Sequence, residues 1–227
     1  MSGLDVRSFT VGAVQENCYI VRAGADAARA IVIDPGDEAP LLLAAIEDLG
    51  VEVEAILITH CHFDHIGAVA PVAAATGAPV YCPLIERPVL ADIMSYVPFP
   101  DFGPFESYEA DLTVQGGERL TLAGMEVDVF FTPGHSPGHV SYSVAPQQAL
   151  FSGDVLFRDS VGRVDLPGGD WSVLFESITG LVTALPAQTT VYPGHMAVTT
   201  LGREREHNPF LSELRAPAGP SRGPASR

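Results

Sequence analysis

The segment Thr59-His60-Cys61-His62-Phe63-Asp64-His65-Ile66-Gly67 follows directly on an apolar run, Ala55 to Ile58, and that order narrows what this chain can become. The run is short and rich in isoleucine and leucine, so it reads as a buried strand, with the polar cluster starting where the strand ends. On extended backbone, side chains two apart share a face, and His60 and His62 can reach one metal ion together. On a helix the same pair would stand about 200° apart. The chain must then turn to present Asp64 and His65 to a second position nearby. A loop between a strand and a helix fits these demands.

Three later apolar runs end in a comparable way. Met125 to Phe131 leads into Thr132-Pro133-Gly134-His135, Gln148 to Phe151 into Ser152-Gly153-Asp154, and Thr189 to Tyr192 into Pro193-Gly194-His195. Together they supply His60, His62, Asp64, His65, His135, Asp154 and His195, enough ligands for two metals that share Asp154. Nitrogen and carboxylate ligands suit zinc, and also iron or manganese. The chain has 7 histidines, and those outside these blocks are His139 and His207. A carboxylate such as Asp154, at the end of a buried strand, is costly without a cation beside it.

The pattern H-x-H-x-D-H, followed by a later His, a Gly-Asp pair and a last His, resembles the metallo-β-lactamase-fold hydrolases. Ile33-Asp34-Pro35-Gly36, Thr132-Pro133-Gly134-His135-Ser136-Pro137-Gly138-His139 and Gly162-Arg163-Val164-Asp165-Leu166-Pro167-Gly168-Gly169 narrow the resemblance to the glyoxalase II-like branch. Thr199 to Leu211 is similar to the short, single-domain bacterial group of hydroxyacylglutathione hydrolases. The resemblance implies an αββα sandwich of two mixed β-sheets flanked by helices, an α+β fold. It further implies one site of His60, His62 and His135 and another of Asp64, His65 and His195, with Asp154 bridging. The expected activity is metal-dependent hydrolysis of a thioester such as S-lactoylglutathione, by a hydroxide between two divalent ions, zinc first, that Asp64 orients.

Composition is compatible with that expectation and excludes other classes. At 227 residues, 47% hydrophobic and 18% charged, the chain describes a globular protein with ample material for one core. The net charge of -16 opposes nucleic-acid backbones and anionic lipid; the small acyl-thiol partner is what the resemblance implies. No stretch approaches an unbroken membrane span, and three scattered cysteines do not make a disulfide framework. A cytoplasmic setting is expected. All 12 basic residues are arginine, so recognition of a substrate carboxylate would fall to guanidinium groups, with Arg163 and Arg203 as candidates and Arg205 beside the latter.

In chain order, Val6 to Val11 and Cys18 to Val21 read as a hairpin with Glu16-Asn17 in the turn, and Ala30 to Ile33 as a third strand. A helix spans Glu38 to Leu49, stopped by Gly50, a second runs from about His65 to Ala75, and a short one is expected near Ile85 to Met94. Asp34 reads as a turn residue or a carboxylate orienting a ligand histidine, Cys61 as packing, His139 as a hydrogen-bonding support and His207 as surface. Residues 96–105, rich in Pro and aromatics, suit either a lid or a core cover. Several strands plus helices in each half suggest two sheets with helices outside, in one domain over residues 1–215. Residues 216–227 are expected to be a disordered tail. The rival activities are a mono-iron persulfide dioxygenase on His60, His135 and Asp154, and a metal-binding module without turnover. A β-lactamase ranks lower, because Asp154 stands where those enzymes typically carry another residue type.

Overall fold

Strand β2 (Glu16–Arg22) is buried along its whole length, which only a strand covered on both faces achieves. The computed structural model describes residues 3–97, 99 and 101–215. In it β2 lies second in a six-stranded sheet ordered β1 (Asp5–Val11), β2, β3 (Arg29–Ile33), β4 (Glu52–Leu57), β5 (Val80–Pro83), β6 (Leu112–Val114). The first two pairings are antiparallel and the rest parallel. A second six-stranded sheet runs from β7 (Arg119–Leu122) through β8 (Met125–Phe131), β9 (Val140–Val144) and β10 (Ala149–Gly153). A two-stranded ribbon, β11 (Leu156–Phe157) and β12 (Ser160–Val161), precedes the remaining two strands, β13 (Thr190–Pro193) and β14 (Thr199–Thr200). The β10–β13 pairing is parallel and the others antiparallel, so both sheets are mixed, as expected.

Alternation along the strands builds the layers. In β3, Ile31 and Ile33 face the second sheet and meet a core that includes Val127, Val129, Tyr142 and Phe151. Ala30 and Val32 face the other way, toward Leu42 and Ile46 of α1 (Ala39–Leu49) and Val69 and Val72 of α3 (Val69–Thr76), the latter preceded by the single turn α2 (Phe63–Ile66). After the short α4 (Arg87–Ala91), the outer face of the second sheet packs Leu150 and Val191 on Leu174, Ile178 and Leu181 of α5 (Trp171–Ala184) and Leu201 of α6 (Leu201–His207). Three apolar layers separate four structural layers, helix, sheet, sheet, helix, which is the αββα sandwich.

The structure corrects three local expectations. Glu16 and Asn17 belong to β2, not the turn, which occupies residues 12–15. The helix expected from His65 to Ala75 is two pieces, because Gly67 packs directly on a neighbouring loop. A Cβ there would lie 2.5 Å from Gly36 O and 2.7 Å from the Phe105 ring, while Ala68 N–H donates to Pro35 O at 3.0 Å. The helix expected near Ile85 to Met94 is α4 followed by a 3-10 turn, Ile93–Ser95. Phe102 and Phe105 of the 96–105 segment stack on Phe63, with ring centroids 4.9 and 5.8 Å away, whereas Tyr96 and Phe99 face the cleft described below. Pro98 and Pro100, and the expected tail 216–227, lie outside the described residues.

Candidate metal centre

All seven candidate ligands sit where strands of the two sheets end. Two hydrogen bonds bind the sheets together at that point: Val140 N–H to Thr59 O at 2.9 Å and Tyr142 Oη–H to Ile58 O at 2.8 Å. The loop after β13 is anchored to β2, since Asn17 N–H donates to Gly194 O at 2.7 Å and Tyr19 Oη–H to Pro193 O at 2.7 Å. A side chain at Gly194 would collide with Asp154 Oδ1, so glycine lets this backbone pass beside the carboxylate.

His60 Nε2, His62 Nδ1 and His135 Nε2 form a triangle with edges of 3.0, 3.2 and 2.8 Å. Ligands about 2.0–2.1 Å from a tetrahedral ion lie about 3.3 Å apart, so these nitrogens are close to the required spacing. A second group joins Asp64, His65 and His195, with His195 Nε2 at 3.2 Å and His65 Nε2 at 3.9 Å from Asp64 Oδ2. Asp154 stands between the groups. Its Oδ1 is 3.4 Å from His65 Nε2, and its Oδ2 lies 3.5 Å from His135 Nε2 and 3.6 Å from His195 Nε2. His65 Nε2 and Asp154 Oδ1 are buried with no hydrogen-bond partner. Two such orphaned atoms aimed at each other across a nitrogen-and-oxygen cluster are what a cation would satisfy, and the donor set fits divalent metals.

The outward nitrogens of the rings are also held. Asp34 accepts from Thr59 N–H at 2.7 Å, from Thr59 Oγ1–H at 2.6 Å and from His65 Nδ1 at 3.0 Å. Thr59 Oγ1 in turn lies 3.1 Å from His60 Nδ1. His135 Nδ1 is 2.8 Å from Arg163 O, and His195 Nδ1 is 3.2 Å from Gln15 O. Each contact leaves the opposite nitrogen free as a ligand and fixes the ring plane. Asp34 thus orients a histidine, the stronger of its two sequence readings. His139 supports from behind, its ring stacked 4.9 Å from that of His60 and its Nε2 accepting from Asp154 N–H at 3.1 Å.

Electrostatics separate the groups. Burial, reinforced by neighbouring histidines, pushes His60 well below the usual imidazole range, and His62 down to about 4. Burial also acts to lower His65, but the Asp154 and Asp64 charges overcome it and hold it well above that range. His195 is raised too, with burial opposed by its hydrogen bond to Asp64 and the charge of Asp154. Burial alone would raise the Asp154 carboxyl; His65, His135 and His195 instead keep it far below the carboxylate norm.

Two buried acids escaped the sequence reading. Glu86 accepts from Ser136 Oγ–H at 2.7 Å, Gly138 N–H at 2.8 Å and Cys61 N–H at 3.3 Å, joining both ligand-bearing loops to the segment that leads into α4. Glu16, fully buried with neither oxygen hydrogen-bonded, lies 3.8 Å from His65 Nδ1, and burial pushes its carboxyl well up. Cys61 packs with its Sγ 3.6 Å from that of Cys82, both buried and unpaired. His207 is exposed beside Glu206, as expected.

A cleft of about 580 Å³ opens over the ligands. Arg163 reaches its wall, but its guanidinium is paired in a fork with Asp165 at 2.7 and 2.8 Å. Arg203 is not among the residues lining it; its guanidinium binds Asp159 and Glu204.

The sandwich and its strand-end ligand clusters define a metal-dependent hydrolase class. The chain belongs to the Metallo-beta-lactamase superfamily, whose pattern matches residues 11–195. Among curated relatives, it is 32% identical to the Hydroxyacylglutathione hydrolase GloC of Haemophilus influenzae over 92% of this chain and 99% of that protein. Of solved structures, the BLEG-1 B3 metallo-beta-lactamase is 40% identical with a TM-score of 0.86, covering 92% of this chain and all 100% of that one. TTHA1623, solved in a di-iron-bound form, is 42% identical with a TM-score of 0.75, covering 91% of this chain and 100% of that one. Among the described residues no helix is long and apolar enough to cross a membrane.

Proposed function

We propose that this protein is a cytoplasmic thioester hydrolase, acting on S-lactoylglutathione or a related acyl-thiol with two divalent cations, zinc in the first instance. The observation that carries this reading is the place of Asp154, whose oxygens lie within 3.4 to 3.6 Å of histidines from both ligand groups. His60, His62 and His135 would hold one cation, Asp64, His65 and His195 the other, and Asp154 both. Two cations so held would supply a water acidified to near neutral pH and a polarised carbonyl oxygen.

The remaining work belongs to the chain. Asp64, only partly buried and tied to His195, would orient the attacking water. The largely apolar walls of the cleft exclude bulk water and strengthen the charges at its floor. A thiolate leaves without a dedicated proton donor, which suits a floor made of ligands. The name carried by the Haemophilus influenzae relative supports the thioester, and imidazole with carboxylate also accepts iron, as in the di-iron form of TTHA1623.

The test is to count metals on the purified protein and, on the same preparation, assay S-lactoylglutathione, a β-lactam and oxygen uptake with glutathione persulfide. Two ions per chain with thioester turnover is the expected result. One iron with oxygen uptake would replace the proposal with a dioxygenase, and β-lactam turnover alone with lactam hydrolysis. Tight metal binding without turnover on any of the three would leave a binding module.

A further inference from the structure

We infer that the preferred substrate of this cleft is an uncharged thioester bearing an apolar acyl chain, within the acyl-thiols but outside the charged glutathione conjugates; this rests on the thioesterase reading above. The walls carry the inference. Ile85, ahead of α4, Tyr96, after the 3-10 turn, and Met196, beyond β13, line the cleft while 56%, 55% and 58% exposed. Val14, in the turn before β2, joins them at 38%. Four large apolar side chains from separate parts of the chain thus surround one mouth, where Val89 and Leu166 continue the lining. Scattered exposed hydrophobics need no explanation, but a converged set above a polar floor is the signature of a site for an apolar group. The unbranched thioether of Met196 adapts to chains of different shape.

Charge points the same way. Glutathione brings two carboxylates, which need cationic partners once they leave water. The one arginine among the described lining residues, Arg163, already commits the Nε–Nη2 edge of its guanidinium to Asp165, and the chain contains no lysine. The other charged residues of the lining, Asp64, Glu86 and Asp154, are acidic. The reaction itself is balanced by water alone. The acyl carbon–sulfur bond breaks, an acyl carbon–oxygen bond forms, and a proton from water accompanies the departing thiol.

The experiment compares acetyl, butanoyl and hexanoyl thioesters of N-acetylcysteamine, a neutral thiol, with the same acyl groups on glutathione, using the metal-loaded enzyme. Each methylene that reaches the wall is expected to raise kcat/KM about fourfold, the equivalent of about 0.8 kcal/mol. At each length the neutral carrier should match or exceed glutathione. Ile85→Ser and Met196→Ser, both at exposed positions, should flatten the dependence on chain length. A second readout is calorimetric binding of an uncleavable hexanoyl ketone, with methylene in place of sulfur, to metal-loaded and metal-free protein; a negative heat-capacity change is expected in both. Thioester turnover that ignores chain length, or that favours S-lactoylglutathione over the hexanoyl neutral ester, overturns the inference and leaves the thioesterase reading standing. No thioester turnover, with the ketone still bound, removes the thioesterase reading and keeps the apolar site.

Discussion

The two ligand groups are built from similar residues yet stand in opposite states before a cation arrives. The imidazoles of His60, His62 and His135 crowd within 2.8 to 3.2 Å of one another, and burial holds His60 and His62 in the neutral form. His65 and His195 are instead drawn toward the protonated form by Asp154 and Asp64. The first group is a bare nitrogen site in which crowding disfavours positive charge. The second is a network in which the carboxylates of Asp154 and Asp64 favour the protonated imidazole, so that a cation would compete with protons there. Sharing Asp154 ties one group to the other, and the consequences can be measured.

The largest effect is expected from Asp154→Ala. Thioester hydrolysis should fall to background and bound metal to at most one ion per chain, with the circular dichroism of the native fold retained. Full activity in this variant would contradict the shared-ligand geometry. Asp34→Ala acts one step further out, by removing the acceptor of His65 Nδ1 at 3.0 Å. Metal affinity should weaken by about 10–100-fold, more at the second group than at the first, as read by chelator competition. Equal losses at both would mean that the groups are not separable.

The pH dependence sharpens the contrast. A proton and a metal compete for the same nitrogen, so a raised pKa keeps the proton in place to higher pH. Affinity of the second group should therefore climb as pH rises through and above the ordinary histidine range, about tenfold per pH unit for each proton released. At His60, held well below that range, and His62, down at about 4, protons should compete little over the same range. Calorimetric titration in buffers of different ionisation enthalpy counts the protons, and identical counts at both groups would erase the distinction. The smallest expected effect is that of Glu86→Gln, which keeps the shape but turns one accepting oxygen into a donor facing Ser136, Gly138 or Cys61. A loss of about 1–3 kcal/mol in unfolding free energy is expected, with both metals still bound.

Much of this arrangement was legible beforehand because metal ligands are scarce residue types that follow strand ends. His60, His135, Asp154 and His195 each come directly after a short apolar run, and such runs announce themselves by composition. The short strands β5, β6, β11, β12 and β14 did not, since two to four residues cannot display a period. Nor could local pattern find Glu16 or Glu86, whose importance comes from partners far away in the chain. Arg163 shows the same limit from the other side. Its residue type suggested a carboxylate binder, whereas the fold uses its carbonyl to orient His135 and commits its guanidinium to Asp165.

From sequence alone came the candidate ligands, their order and the two-sheet class, because side-chain chemistry and alternation are local properties carried by each strand. Only the tertiary structure decided how near Asp154 stands to each group, that Asp34 serves both Thr59 and His65, and that apolar side chains from separate loops surround one cleft. Those are distances between residues tens to more than a hundred positions apart, set by how two twisted sheets pack, and no local pattern encodes them.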